Sequence, residues 1–94
     1  MTEQHPKVFD GVATCLSEVL RIDRGEIEPT SDLLELGAQS FDFVKLVFRL
    51  ERTYGIEIPR RFAVPHPYTV ETLVNAVRRE LDAVAADQAP HAAE

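Results

Sequence analysis

Three stretches of this chain place apolar residues at intervals of three and four, the spacing that lines one face of an α-helix. They run from about Pro6 to Leu20, from Ser40 to Tyr54 and from Thr69 to Val84, with turn-forming residues between them. Apolar and polar residues nowhere alternate over a useful length, as they would in a half-buried strand. A short helical turn also fits Arg60–Val64, and the prolines around it limit its growth. The predicted fold is all-α, a small four-helix bundle with three long helices and one short one.

The apolar stripes predict which side chains form the core. The long connection between the first two helices also contains apolar residues, so we expect it to be held against that core. Cys15 lies at the edge of the first stripe and is predicted to be a buried structural thiol, because no histidine or obvious cation flanks it. The predicted core residues are Phe9, Val12, Ala13, Leu16, Val19, Leu20, Ile22, Ile27, Leu33, Leu34, Leu36, Phe43, Leu46, Val47, Leu50, Tyr54, Val70, Leu73, Val74, Val77, Leu81 and Val84.

The segment Leu36–Val47 places a hydroxyl at the start of the second helix. Gly37 ends a short apolar approach and can adopt backbone angles that other residues avoid. Ser40 follows where the helical period begins, a position from which a serine side chain can cap free backbone N–H groups. Those N–H groups and the positive end of the helix dipole also suit an attached phosphodiester. Ser40 is therefore either a plain helix cap or the attachment point of a prosthetic group.

Composition and motifs narrow the function classes. The chain has 94 residues, enough for one domain, and a net charge of −6 disfavours nucleic acid and anionic membranes as partners. A single cysteine cannot form an internal disulfide, and no signal peptide or membrane span is recognisable, so a cytoplasmic protein is expected. His5, His66 and His91 share no metal-ligand spacing. Because a hydrolase elbow and a glycine-rich phosphate loop are also lacking, we expect neither an enzyme nor a metal site.

A family resemblance becomes specific at Leu36-Gly37-Ala38-Gln39-Ser40-Phe41-Asp42, followed by a helix that ends in Tyr54-Gly55-Ile56-Glu57-Ile58-Pro59. This pattern resembles the acyl and peptidyl carrier proteins, whose signature is Leu-Gly-(small)-Asp-Ser-Leu before a helix of the same apolar pattern. The resemblance covers residues 6–84. It implies that a phosphopantetheinyl transferase moves a 4′-phosphopantetheine arm from coenzyme A onto Ser40. Gln39 stands where relatives usually have aspartate, and Phe41 where they usually have leucine.

The helix after the serine is the recognition helix in that family, and here it has a second apolar stripe rotated away from the core. The cations of this helix outnumber its two carboxylates, Asp42 and Glu51, whereas the fatty-acid carriers that it resembles are acidic. We expect partners unlike those of fatty-acid synthesis, with ordinary solvated cations as the equally weighted alternative. The predicted partner-binding residues are Gln39, Phe41, Val44, Lys45, Phe48, Arg49 and Arg52.

Residues 85–94 have little to bury and are expected to form a disordered tail, and residues 1–5 are expected to be flexible. The resemblance predicts a stand-alone carrier domain over residues 6–84, expected to be a monomer. It would hold an acyl or aminoacyl group as a thioester, loaded by a ligase, which for an amino acid would be a dedicated one, and delivered to a downstream transferase. The alternative is a carrier-like helical interaction module in which Ser40 only caps its helix. A nucleic-acid binder using Arg49, Arg52, Arg60 and Arg61 is a third hypothesis, disfavoured by the net acidity.

Overall fold

A computed structural model describes residues 6–88 of the chain and contains three α-helices. Helix α1 spans Pro6–Leu20, α2 spans Ser40–Tyr54 and α3 spans Val70–Gln88. The first two helices have the predicted bounds. Helix α3 is longer than predicted, so that the first four residues of the expected tail, 85–88, are helical. The other predicted flexible segments, 1–5 and 89–94, lie outside the described residues.

Two 3-10 turns, Arg24–Glu26 and Arg60–Ala63, complete the helical structure of residues 6–88. The second turn occupies the place of the predicted short helix. It stays at four residues, because Pro59 precedes it and Pro65 follows closely. The fold is therefore all-helical as predicted, with three α-helices and two 3-10 turns in the described part of the chain. The first turn was not predicted.

Helix α1 lies against both α2 and α3, and the core fills the space between them. The buried face of α1 is rotated relative to the prediction: Val8 and Cys15 are buried, whereas Phe9, Val19 and Leu20 are only half-buried. An edge-to-face aromatic contact joins α2 to the segment before α3, with the ring centroids of Phe43 and Tyr68 5.7 Å apart. The largest fully buried side chains are Phe43, Leu16, Leu33, Leu46, Leu50, Leu73, Val12, Val70 and Val77.

The connection between α1 and α2 is held to the start of α3 by backbone hydrogen bonds. The N–H of Leu33 donates to the carbonyl of Tyr68 at 3.1 Å, and the N–H of Val70 donates to the carbonyl of Ser31 at 2.9 Å. These bonds place the Leu33 side chain in the core, where it is fully buried. Leu34 was wrongly predicted to face the core, since the same turn leaves it 41% exposed. The anchored connection fixes where α2 begins.

Candidate functional site

A tight turn leads directly into the start of α2. The Asp32 carboxylate accepts a hydrogen bond from the N–H of Leu34 at 2.8 Å, and the N–H of Ala38 donates to the Leu33 carbonyl at 3.1 Å. Gly37 has a φ of 104°, in the left-handed region that L side chains avoid. Without the glycine the chain could not turn toward α2 at this point without strain. This confirms the conformational role predicted for Gly37.

Ser40 is the first residue of α2, and its side chain is exposed. No hydrogen bond reaches its hydroxyl from the rest of residues 6–88. The cap expected of Ser40 belongs to its neighbours: Gln39 is the N-cap residue, and the Asp42 carboxylate accepts the N–H of Gln39 at 2.9 Å. The alternative in which Ser40 caps the helix is therefore not what the structure shows, because the helix begins one residue earlier than a serine cap requires and Ser40 is already its first helical residue. Its hydroxyl is left open to solvent.

The first turn of α2 presents unpaired donors beside that hydroxyl. The N–H groups of Asp42 and Phe43 both donate to the Gln39 carbonyl, at 2.8 and 3.3 Å. Those of Ser40 and Phe41 have no acceptor among residues 6–88, as expected for the first residues of a helix. They lie at the positive end of the dipole of a 15-residue helix. The residues present therefore fit a phosphodiester on Ser40 and can stabilise its negative charge.

Two charged side chains, Lys45 and Asp42, lie near the start of α2. The ammonium of Lys45 lies 3.8 Å from the Asp42 carboxylate and 5.4 Å from the centroid of the Phe41 ring. Asp42 is thus already engaged by Gln39 and Lys45. In the described part of the chain, Ser40 has no histidine or carboxylate within hydrogen-bonding reach to act as its base. Within residues 6–88 the hydroxyl can therefore accept a group but has no neighbouring side chain to activate it.

The outer face of α2 exposes two large aromatic side chains. Phe41 is 68% exposed and Phe48 is 53% exposed, whereas Val44 between them is half-buried. Gln39, Lys45, Arg49 and Arg52 are also exposed, so six of the seven residues predicted to bind partners are accessible to solvent, and Val44 is half-buried. Arg49 forms an ion pair with Glu18 of α1, which the sequence did not indicate.

The end of α2 contains a stabilising contact that the sequence did not predict. Gly55 ends the helix in the left-handed conformation, as predicted, and its N–H donates to the Glu51 carbonyl at 2.8 Å. The Glu51 carboxylate also accepts the N–H of Ile58 at 2.8 Å. Glu51 therefore holds the chain after α2 in place, although the sequence suggested only a charge on the recognition helix. Its spacing of seven residues from Ile58 gives no local signal of this contact.

Other reactive side chains of residues 6–88 do not assemble a site. Cys15 is buried, and this burial raises the pKa of its thiol, with a hydrogen bond to Thr53 acting in the opposite direction. His66 contacts the Tyr68 ring and the Val64 carbonyl, while the other two histidines lie outside the described residues. No three His, Cys, Asp or Glu side chains of this region could hold a metal ion together, and none of its helices is long and apolar enough to span a membrane.

Comparison with known proteins decides the family. The family model for the phosphopantetheine attachment site matches residues 10–77, which include the turn at Gly37 and the start of α2. The chain belongs to this phosphopantetheine-binding family. Its prosthetic group is therefore 4′-phosphopantetheine, which agrees with the open hydroxyl and free N–H groups of Ser40.

Relatives in the family are acyl carrier proteins. The chain is 47% identical to an acyl carrier protein of Lactobacillus johnsonii over 63% of this chain and 72% of the relative. It is 42% identical to acyl carrier protein AcpXL of Rhizobium etli over 54% of this chain and 56% of that protein. It is 34% identical to an acyl carrier protein of Helicobacter pylori over 55% of this chain and 68% of the relative. The match to AcpXL proteins thus spans little more than half of their length.

Proposed function

We propose that this chain is a carrier protein whose Ser40 hydroxyl receives the 4′-phosphopantetheine arm. The observation that supports this most directly is that two different residues cap α2 and present the hydroxyl at its start. Asp42 caps the helix, while the exposed hydroxyl of Ser40 has no hydrogen bond within residues 6–88. An oxygen that the fold does not use can be modified without breaking a structural contact.

The chain contributes an acceptor and a fixed position to the modification. Ser40 supplies the oxygen that forms the new bond to phosphorus, and the partner transferase removes its proton. The pyrophosphate bond of coenzyme A breaks in the same transfer, and adenosine 3′,5′-bisphosphate is the leaving group. The free N–H groups of Ser40 and Phe41 stabilise the phosphodiester charge. When attached, the arm supplies a terminal thiol on which an acyl or aminoacyl group is held as a thioester. The tether keeps this cargo at high effective concentration near each partner enzyme. The carrier itself catalyses no step.

Three kinds of partner follow from this function. A phosphopantetheinyl transferase attaches the arm, an acyl- or aminoacyl-loading ligase charges it, and a downstream transferase removes the cargo. We propose that all three dock on the accessible side of α2, through Gln39, Phe41, Val44, Lys45, Phe48, Arg49 and Arg52. An acyl cargo agrees with the names of the relatives. An amino acid loaded by a dedicated ligase agrees with the cations of α2. A monomeric state and a cytoplasmic location stay predictions.

Intact-protein mass spectrometry tests the attachment site. The unmodified protein is incubated with coenzyme A and a broad-specificity phosphopantetheinyl transferase. Wild type should gain the mass of one arm, and Ser40→Ala should gain none. Ser17→Ala is the matched control, because Ser17 is a helical serine whose hydroxyl is bonded to the Thr14 carbonyl, and it should be modified like wild type. Modification of Ser40→Ala, or none of wild type, would contradict the proposal.

In the alternative of an interaction module that never bears the arm, the side-chain cap of α2 would come from Asp42 and not from Ser40. Protein isolated from its native cells distinguishes the two functions further. The carrier function requires a fraction of that protein to have the arm, and mass analysis of the thioester-bound group on it would identify the cargo. A uniformly unmodified population would favour the alternative.

A further inference from the structure

A groove between the end of α1 and the outer side of α2 concentrates positive charge. Its volume is about 620 Å³. Among residues 6–88, four basic side chains line it but a single acidic one does so. On a protein with a net charge of −6, this is a local reversal of sign. The charged and aromatic residues of the groove are Glu18, Arg21, Lys45, Phe48, Arg49 and Arg52.

Two of the groove's four cations have no ion-pair partner within residues 6–88. Lys45 is paired with Asp42, and Arg49 with Glu18. Arg21 and Arg52 are exposed, and within residues 6–88 no carboxylate forms an ion pair with either of them. The groove therefore offers two uncompensated guanidinium groups, which suit planar carboxylate groups particularly well.

The backbone at Arg21 is held in an unfavourable conformation. Arg21 directly follows α1 and has a φ of 60°, and it is the one non-glycine residue with positive φ in the described region. The position after a helix usually has glycine when the chain turns left-handed. The N–H of Ile22 donates to the Ser17 carbonyl at 3.1 Å and closes this helix end. An arginine here costs stability that glycine would not, and its side chain lines the groove.

Phe48 gives the groove an apolar contact point between the cations. It is 53% exposed, although a phenylalanine of α2 that served only the core would be buried like Phe43. With a rise of about 1.5 Å per residue, Phe48 lies roughly 12 Å along the helix from Ser40. A partner bound over Phe48 would therefore lie next to the attachment site. Aromatic and arginine side chains together are typical of the energetic centre of a protein interface.

From these features we infer that the groove binds an acidic surface of the enzymes that load or unload the carrier, with carboxylates paired to Arg21 and Arg52 around an apolar side chain on Phe48. This inference rests on the proposed carrier function and gives the chemistry of its partners. Charge complementarity selects this occupant, because the groove holds four cations, two of which have no ion-pair partner within residues 6–88, and such cations attract carboxylates.

A peptide titration tests the inference without a known partner. The probe is a synthetic octapeptide with three glutamates on each side of a central Leu-Phe pair, and the matched control peptide has glutamine in place of every glutamate. Binding to the unmodified, ¹⁵N-labelled protein is followed by chemical-shift changes in low salt. The acidic peptide should shift the amides of Arg21, Phe48 and Arg52, and salt should weaken the binding. The glutamine peptide should bind about tenfold more weakly.

Three variants localise the binding. Arg52→Glu should reduce the affinity for the acidic peptide about tenfold, since it replaces attraction by repulsion. Arg60→Glu is its control, because it changes the net charge equally at an exposed position outside the groove, and it should bind like wild type. Arg21→Gly should raise the urea midpoint while it lowers the affinity. A purely structural role of Arg21 would not produce these opposite changes.

Several outcomes would overturn the inference. They are equal binding of the two peptides, an equal loss in Arg60→Glu and Arg52→Glu, shifts away from the groove, or tighter binding of a duplex DNA oligonucleotide than of the acidic peptide. The titration does not depend on the arm, so Ser40→Ala should bind the peptide like wild type. If wild type cannot be modified but binds the peptide, only the carrier function fails. If it is modified but does not bind, only the groove inference fails.

Discussion

The division of roles between Ser40 and Asp42 gives an experiment that separates helix capping from cofactor attachment. In Asp42→Ala the charged hydrogen bond to the N–H of Gln39 is lost, together with a negative charge at the positive end of α2. A lost cap costs about 1 kcal/mol and the lost dipole interaction about 0.5 kcal/mol. The ion pair with Lys45 adds little, because the lysine is half exposed. We expect a total loss of about 1.5 kcal/mol.

Ser40→Ala should leave the stability almost unchanged. The hydroxyl has no hydrogen bond within residues 6–88, and alanine is a good helix former at the first helical position. A change within about 0.5 kcal/mol is expected, as for most exposed positions. A plain serine cap would instead cost about 1 kcal/mol on removal.

Urea unfolding followed by circular dichroism measures both variants. With an m-value of about 1 kcal/mol per molar urea, the midpoint should fall by about 1.5 M in Asp42→Ala and by less than about 0.5 M in Ser40→Ala. Asp42→Asn keeps an acceptor oxygen without the charge and should lie between wild type and Asp42→Ala. A loss in Ser40→Ala as large as that in Asp42→Ala would refute the assignment of the cap.

Three further predictions concern the core, the end of α2 and the response to alkali. Phe43→Ala should cost about 4 kcal/mol in unfolding free energy, because Phe43 is fully buried, whereas Phe48→Ala should cost about 1 kcal/mol and mainly impair partner docking. Equal losses in urea unfolding would place Phe48 in the core. Gly55→Ala should cost about 1 kcal/mol, since its φ is 67°; an unchanged urea midpoint would contradict this strain. Burial raises the pKa values of Cys15 and Tyr68 in the folded protein. As the pH rises, the unfolded chain therefore loses the protons of these two groups at a lower pH than the folded chain does. Their contribution to stability is complete below about pH 8.5 and should decline above it, a decline that Cys15→Ala should make smaller in pH-dependent urea unfolding.

Helix α2, which has strong local signals at both ends, has the predicted first and last residues. Helix α2 begins at Ser40 and ends at Tyr54 as predicted, because the apolar period and the left-handed glycine after it both act within the helix itself. The turn at Gly37 was predicted for the same reason. The short segment at Arg60–Ala63 was predicted less accurately: its prolines bound the turn, but a segment of four residues has too few positions to distinguish an α-helix from a 3-10 turn.

The features that the sequence did not predict depend on contacts between distant segments. The pair of Glu18 with Arg49 and the bonds of residues 31–33 to the start of α3 join positions more than thirty residues apart. The same holds for Gly11, where an added Cβ would collide with the Tyr54 hydroxyl oxygen. The capping role of Asp42 had a local signal three residues after Gln39, but the serine between them offered a more common alternative.

The independence of the Ser40 hydroxyl from the cap has a consequence for the working cycle of the proposed carrier. Adding or removing the arm breaks no hydrogen bond within residues 6–88, so the bare and modified forms should share one fold, with at most a small gain in stability from the phosphodiester at the positive end of α2. Enzymes that distinguish an empty carrier from a loaded one would then find no difference in the helices themselves. The order in which these enzymes bind the carrier would have to be set by the group that is attached to the arm.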